Sequence, residues 1–157
     1  MLKRSIVPMM SVLAMFAYMT ITPTAPAFAK AGIGKHTVHK LVLQLDDNDP
    51  KRMNLVLNNA ANIDKYYKDK GEEVKIEIVA YGPGLKMLLG KSPVKGRIKS
   101  FGQNFDNISF KACGNTYKKF TKKLGKAPGL LPEAKMVPAG VIWIMDREEQ
   151  GWSYVRP

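Results

Sequence analysis

The residue whose type and position point most directly to chemistry is Cys113, the single cysteine of the chain. It follows an apolar run at residues 107–112, which predicts a strand, and it precedes Gly114, Asn115 and Thr116. Asn115 or Thr116 is expected to cap a helix that starts there, and the positive end of a helix favours a thiolate over a thiol. A thiolate attacks sulfur donors, so we expect a reactive sulfur that solvent can reach. The residues leave open the alternative of a buried, inert thiol.

Two other segments lie where predicted strands end. Residues 46–49 are Asp-Asp-Asn-Asp, and residues 81–84 are Tyr-Gly-Pro-Gly. Because parallel strands all end on the same edge of a sheet, where ligands gather, we expect both segments to lie near residues 113–116. A parallel last strand would bring Arg156 to this edge, where it would hold a sulfur oxyanion or contact another subunit. The residues expected to bind a substrate here are Tyr81, Gly82, Gly84, Gly114, Asn115, Thr116 and Arg156.

Acidic residues and histidines are present, but their spacing indicates no metal site. Asp46, Asp47 and Asp49 lack a fourth oxygen ligand in a defined spacing, so we interpret them as turn formers and a helix cap. His36 and His39 lie near the start of the expected mature chain, without nearby ligands. We therefore assign no metal and no cofactor. The position of both histidines also disfavours a hydrolase with a Ser-His-Asp or Cys-His arrangement.

Alternating strand and helix patterns supply the frame that positions these residues. Apolar runs bounded by turn residues predict five strands, at residues 39–45, 74–80, 107–112, 136–137 and 152–155. Helices are expected between them, at residues 50–70, 85–89, 94–101, 115–124 and 139–150. The alternation predicts a mainly parallel sheet of about five strands with helices on both faces.

The first of these helices carries the clearest signals. Asp49 is a good N-cap, Pro50 suits the first helical position, and Gly71 suits the C-terminal cap. Apolar residues recur at spacings of three and four, which places them on one inward face: Met53, Val56, Ala60, Ile63 and Tyr67.

The N-terminal segment has the pattern of an export signal. Lys3 and Arg4 form a positive head, residues 5–29 are uncharged, and the stretch ends in Ala27-Phe28-Ala29, with small residues where a signal peptidase cleaves. We predict a signal peptide at residues 1–29 and one domain at residues 30–157. An uncleaved membrane anchor is the alternative. The expected location is the periplasm, with secretion as the second choice.

The chain is strongly basic, since 25 Lys and Arg oppose 13 Asp and Glu for a formal charge of +12. In an exported protein this favours anionic lipid, envelope polymers or acidic proteins as partners over nucleic acid. The lysines of the helix after Cys113 form either a solvated face or a docking surface for an acidic partner: Lys118, Lys119, Lys122, Lys123 and Lys126. The last helix is apolar on more than one side at Trp143, Ile144 and Met145, which indicates burial between subunits.

Four separated segments also carry a resemblance to a known family. They are Asp46-Asp47-Asn48-Asp49-Pro50, Tyr81-Gly82-Pro83-Gly84-Leu85, Ala112-Cys113-Gly114-Asn115-Thr116, and the close formed by Val137-Pro138-Ala139-Gly140-Val141 with Gln150-Gly151-Trp152-Ser153-Tyr154-Val155-Arg156-Pro157. In this order they resemble the DsrE/DsrF-like family, specifically its small exported branch. The resemblance covers the chain from His39 to Pro157.

The resemblance implies a three-layer, flavodoxin-like α/β fold and homo-oligomers of trimeric or hexameric type. It also implies a relation to TusD-type sulfur-relay proteins, whose acceptor thiol has the position of Cys113. The expected function is that of an exported sulfur carrier or sulfurtransferase-type protein, which accepts sulfur as a persulfide on Cys113 from a donor protein or a small sulfur compound. The alternative is a non-catalytic, oligomeric binding or scaffold protein of the envelope with an inert Cys113.

Overall fold

Five parallel strands form the frame of the molecule in the computed structural model, which describes residues 37–157. In chain order the elements are β1 Val38–Leu45, α1 Pro50–Asp69, β2 Glu73–Ala80, a 3₁₀ helix Gly82–Leu88, α2 Lys95–Asn104, β3 Ile108–Cys113, α3 Gly114–Leu124, β4 Ala134–Val137, α4 Gly140–Glu149 and β5 Ser153–Val155. The strands lie in the order β4-β3-β2-β1-β5, and every neighbouring pair is parallel. The predicted three-layer α/β fold of flavodoxin-like type is confirmed.

The signal peptide predicted for residues 1–29 lies outside the described residues. From residue 37 onward, no helix combines the length and the apolar character that crossing a bilayer requires.

The helix α1 forms as its cap residues predict. The Asp49 carboxylate accepts a hydrogen bond from the Lys51 backbone N–H at 2.9 Å, and Pro50 is the first helical residue. The helix ends before Gly71, whose φ of +69° is the left-handed conformation that glycine adopts without strain. Of the predicted inward face, three residues are buried and two are half-buried: Met53, Val56 and Ala60, then Ile63 and Tyr67.

Both faces of the sheet are covered, which explains the continuous apolar runs in its central strands. Leu41, Leu43 and Leu45 of β1 point to the larger core, which they form with α1, α2 and the 3₁₀ helix. The alternate residue Val42 points to the other face, where it packs with Ile144 of α4. The helix α4 is therefore the element that shields the second face.

A buried group of charges fastens α4 to the sheet. The Glu77 carboxylate of β2 accepts hydrogen bonds from Trp143 Nε1 at 2.7 Å and from Arg147 Nε at 2.8 Å. Lys111 Nζ of β3 lies 3.3 Å from the same carboxylate. Burial alone would raise the pKa of Glu77, but the hydrogen bonds from Arg147 and Trp143 and the charge of Lys111 hold it below its usual value.

Two local predictions were wrong. The turn at residues 81–84 and the helix expected at residues 85–89 form one 3₁₀ helix, Gly82–Leu88. Neither Asn115 nor Thr116 caps α3, because the helix begins at Gly114 and Cys113 itself is the N-cap residue. The Thr116 hydroxyl instead accepts a hydrogen bond from the Gly82 backbone N–H at 2.9 Å, so it joins two elements rather than closing one.

Candidate functional site

Cys113 lies at the carboxyl end of β3, and the helix α3 starts directly after it. The residue is 5% exposed, so the expectation that solvent reaches the thiol freely was wrong. The enclosure comes from β4 and α4, which follow β3 around this corner of the sheet. A Cβ built on Gly140 of α4 would lie 3.3 Å from Cys113 Cβ and 3.0 Å from Tyr81 Cβ. The small residue at position 140 therefore lets α4 begin directly against the cysteine.

Hydrogen bonds favour the thiolate form of this sulfur. The Gly140 backbone N–H, at the start of α4, donates to Cys113 Sγ at 3.2 Å. Burial raises the pKa of the thiol, but hydrogen bonds from the Thr116 hydroxyl and from the backbone N–H groups of Thr116, Gly140 and Asn115 outweigh it. The pKa of Cys113 is thus held below its usual value. The N-termini of two helices supply these donors, which is the environment that stabilises a thiolate.

The glycine turn lies next to the cysteine, as the convergence of strand ends predicts. Tyr81 N–H donates to the Leu45 carbonyl at 3.1 Å, which joins the end of β2 to the end of β1. A Cβ on Gly84 would lie 2.3 Å from that same carbonyl oxygen, so only glycine fits. Gly82 has a φ of +51° and donates to Thr116 at the start of α3.

The remaining predicted binding residues next to the cysteine are Gly114 and Asn115. A Cβ on Gly114 would lie 3.0 Å from the Val137 carbonyl oxygen, so β4 approaches α3 closely at this point. Asn115 is exposed, and its backbone N–H lies 3.2 Å from the Pro138 carbonyl oxygen. Together with Tyr81, Gly82, Gly84 and Thr116, they form one site around Cys113.

Tyr81 occupies the space between this site and the acidic turn after β1. Burial raises the pKa of its phenol, the charges of Asp46, Tyr154 and Cys113 act in the same direction, and Arg156 opposes them. Because the phenol keeps its proton, it remains a hydrogen-bond donor. Tyr81 is half-buried, so its outer part faces solvent.

Arg156 lies on the predicted edge but is set apart from the cysteine. It follows β5, which is three strands away from β3, and a strand spacing of about 4.8 Å makes that separation about 14 Å. The guanidinium is paired with Asp46, with Nη2 3.0 Å from Oδ2 and Nε 3.3 Å from Oδ1. The predicted role of Arg156 in holding an anion remains a prediction, and any such anion would share the guanidinium with Asp46.

The acidic residues after β1 act as local structure, as the sequence indicates. Asp47 accepts a hydrogen bond from the Asp49 backbone N–H at 2.9 Å, and Asp49 caps α1. His39 Nε2 lies 2.7 Å from Glu72 Oε2, and its ring stacks on Tyr67 with 4.0 Å between ring centroids. No group of three or more His, Cys, Asp or Glu side chains in the described range could hold a metal ion. His36 lies outside that range.

Gly140 contributes to the site, but its role was not predicted from the sequence. Gly140 was part of a recognised segment, but no role followed from it because β4 was not placed beside β3. Had this strand order been assigned, the run Pro138-Ala139-Gly140 after β4 would have indicated a small residue next to Cys113. The strand pairing between Cys113 and Val137 makes the approach direct.

Comparisons with known proteins relate the chain to solved structures of this fold. No model of a protein family matches the chain. A search of curated proteins also finds no match. Among solved structures, the chain is similar to MTH1491 from Methanobacterium thermoautotrophicum, a protein of unknown function, at 30% sequence identity and a TM-score of 0.65. The similarity covers 76% of this chain and 99% of MTH1491. The chain belongs to the same protein family as MTH1491.

Proposed function

We propose that the protein is an exported, DsrE-like sulfur carrier that accepts sulfur as a persulfide on Cys113. The observation that carries the proposal is the hydrogen bond from the Gly140 N–H to the cysteine sulfur at 3.2 Å, to which the hydroxyl and backbone N–H of Thr116 add. They lower the pKa of the thiol despite its burial. A cysteine with only a packing role needs no such set of donors.

The chemistry is a thiolate exchange that needs no external oxidant. The Cys113 thiolate attacks the outer sulfur of a donor persulfide, and a sulfur–sulfur bond forms at Cys113. The sulfur–sulfur bond of the donor breaks, and its electron pair leaves with the donor thiolate. One sulfur atom moves and the number of disulfide-type bonds is unchanged. In the proposed product, the Gly140 N–H remains beside the inner sulfur.

The surrounding residues shape the pocket for the transferred sulfur. Because Cys113 is 5% exposed, the donor must approach past its half-buried neighbours, Tyr81 and Thr116. The phenol of Tyr81 supplies a donor for the arriving anionic sulfur. Gly82, Gly84 and Gly114 leave room for backbone groups around it. Arg156 is proposed to bind an anionic part of the donor at the outer edge.

We also propose that the carrier is a homo-oligomer, trimeric or hexameric, in the periplasm after cleavage of residues 1–29. Three apolar side chains on the outer side of α4 support an oligomer, since each is more than half exposed: Val141 52%, Ile142 57% and Met145 51%. Contact with another subunit would remove them from water.

The second candidate function is a non-catalytic oligomeric scaffold of the envelope. Two observations favour it: the burial of Cys113 and the same exposed apolar side of α4. If the protein is a scaffold, the hydrogen bond from Gly140 to the sulfur only stabilises the packing of α4 against β3.

Native mass spectrometry after exposure to a small-molecule persulfide donor separates the two functions. The wild type is expected to gain the mass of one sulfur atom per subunit, and the gain should disappear on treatment with a reductant. Cys113→Ser, which removes the sole thiol, should gain nothing. The same spectra report the number of subunits, and a monomer would contradict the oligomer.

Two outcomes would reject the carrier function. Absence of added sulfur on the wild type favours the scaffold, and equal gain on the wild type and Cys113→Ser places the sulfur elsewhere. Circular dichroism of both proteins verifies that the serine variant keeps the fold.

A further inference from the structure

The helix α3 carries a concentration of positive charge that no acidic side chain of the described residues neutralises. Residues 107–132 contain no aspartate or glutamate. Five exposed lysines lie on or just after the helix, at positions 118, 119, 122, 123 and 126. Within residues 37–157, none of these lysines takes part in an ion pair or a side-chain hydrogen bond. The charge is therefore available to a partner.

Neighbouring lysines on this helix repel one another, although Lys122 and Lys123 in its last turn favour the negative end of the helix dipole. Lys118 and Lys122, and likewise Lys119 and Lys123, are spaced four residues apart, where like charges repel. At 3.6 residues per turn, these four side chains fall within an arc of about 140° of the helix surface. A helix face that only contacts solvent usually alternates positive and negative side chains, which avoids this repulsion. Because the charges on this face of α3 are all positive, we expect its partner to be an anionic surface.

An apolar groove lies beside the C-terminal end of this helix. It has a volume of about 560 Å³ and is lined by Leu89, Leu124, Ala127 and Pro128, with Lys91 and Lys126 as its charged members. Leu124 is 57% exposed although it continues the inward apolar stripe of α3. Tyr117 and Phe120 of the same stripe pack against the core, but the helix extends past the core at Leu124.

Three hydrogen bonds to backbone carbonyls fix the walls of the groove. Tyr117 Oη donates to the Pro128 carbonyl at 2.7 Å, and Gly90 N–H donates to the Gly129 carbonyl at 2.8 Å. Leu131 N–H donates to the Leu88 carbonyl at 2.9 Å. The groove is thus formed in the free protein, with apolar walls and cations on its border. Lys91 and Lys126 line the groove, whereas Lys122 and Lys123 lie on the adjoining last turn of α3. We call Lys91, Lys122, Lys123, Leu124 and Lys126 together the basic tip.

We propose that the basic tip docks the protein on an anionic lipid surface. Lysine is a compact point charge that suits headgroup phosphates, and residues 107–132 contain no arginine, the residue that binds carboxylates bidentately. Apart from lysine, the groove is lined by apolar side chains and glycine, which suits acyl chains rather than a polar peptide. Clusters of four to eight basic residues on an amphipathic helix are typical of peripheral binding to anionic lipid.

Vesicle co-sedimentation of the full chain tests this docking. The wild type is expected to bind vesicles of phosphatidylcholine mixed with phosphatidylglycerol far more strongly than vesicles of phosphatidylcholine alone, and added salt should weaken the binding. The triple variant Lys122→Glu/Lys123→Glu/Lys126→Glu should bind at least about 100-fold more weakly, because each lysine near the surface contributes about fivefold. Leu124→Ser should weaken binding by about tenfold or less, since it removes only apolar contact.

A charge-matched control is Lys51→Glu/Lys75→Glu/Lys99→Glu, which changes the net charge equally at exposed sites on other elements. It should retain most of the binding. The N-terminal segment, with Lys3, Arg4 and the apolar residues 5–29, is the same in all variants, so the comparison between variants cancels its contribution. Equal loss in both triple variants, or equal binding to both kinds of vesicle, would overturn the proposal. Binding to polyglutamate without binding to anionic vesicles would overturn it in favour of an acidic protein partner.

Discussion

Replacing Gly84 with alanine is expected to lower the free energy of unfolding by about 3 kcal/mol, the upper range for overpacking. The added Cβ would lie 2.3 Å from the Leu45 carbonyl oxygen and 2.7 Å from its carbonyl carbon. These are backbone atoms at the end of a central strand, so the clash is relieved only by moving the 3₁₀ helix away from β1. Urea denaturation of the wild type and the variant measures the change.

The matched control is Gly96→Ala in α2, where nothing lies within 4 Å of the new Cβ. This substitution should leave stability unchanged or raise it by up to about 1 kcal/mol, because alanine favours a helix. A Gly84→Ala protein as stable as the wild type would contradict the close packing of the glycine turn. The turn also holds Gly82 against Thr116, so the variant is expected to lose part of the thiolate stabilisation at Cys113.

Replacing Glu77 with glutamine is expected to cost about 3 kcal/mol of stability at neutral pH, since removing one member of a buried charge group leaves the others unpaired. The side chains of Lys111 and Arg147 are only 11% and 16% exposed and lose the carboxylate that they share. Glu73→Gln on the same strand is the control, because Glu73 is exposed. It should change stability by less than about 0.5 kcal/mol.

The loss of stability caused by Glu77→Gln should become smaller as the pH falls. The folded state holds the pKa of Glu77 below its usual value of 4.5, so the stabilisation is fully present above that pH. It is lost as the pH falls through the folded-state pKa. Urea denaturation of both proteins should therefore show a difference that is constant near neutral pH and shrinks in acid. A difference that grows in acid would contradict the assigned charge group.

The layered fold could be predicted from the sequence because the residues that start and end its helices and strands are neighbours in the chain. Asp49 and Pro50 start α1 as their types predict, and Gly71 ends it. The alternation of strand and helix patterns then leaves a parallel sheet as the natural arrangement. The convergence of strand ends follows from the parallel sheet, and the position of Tyr81 beside Cys113 agrees with it.

Features that depend on strand order could not be predicted in the same way. The burial of Cys113 results from β4 lying on the outer side of β3, which brings the start of α4 onto the sulfur. Thr116 was expected to cap α3, but its hydroxyl accepts from Gly82, a residue 34 positions earlier in the chain. The burial of Cys113 and the hydrogen bond of Thr116 both depend on contacts between elements far apart in the chain. Local sequence patterns do not predict such contacts.

The buried charge group is a further example. Glu77 and Lys111 interrupt otherwise apolar strands, which is a signal that each needs a buried partner. The sequence does not say which residue that is, because α4 reaches Glu77 from the far end of the chain through Trp143 and Arg147.

The most direct test of the account is the titration of Cys113, since everything proposed for it requires a stabilised thiolate. Ultraviolet absorbance reports thiolate formation, and subtracting the curve of Cys113→Ser removes the signal of the six tyrosines. The wild type is expected to titrate below the usual range of a cysteine thiol. Thr116→Val should raise the pKa by removing the hydroxyl hydrogen bond, while Thr116→Ser should keep the wild-type value.

Thr121→Val is the control on the same helix, because the Thr121 hydroxyl donates to the Tyr117 carbonyl rather than to the sulfur. Its titration curve should match that of the wild type. If the wild-type thiol instead loses its proton in or above the usual range, and Thr116→Val leaves the curve unchanged, then Cys113 is a packing residue and the carrier function is contradicted.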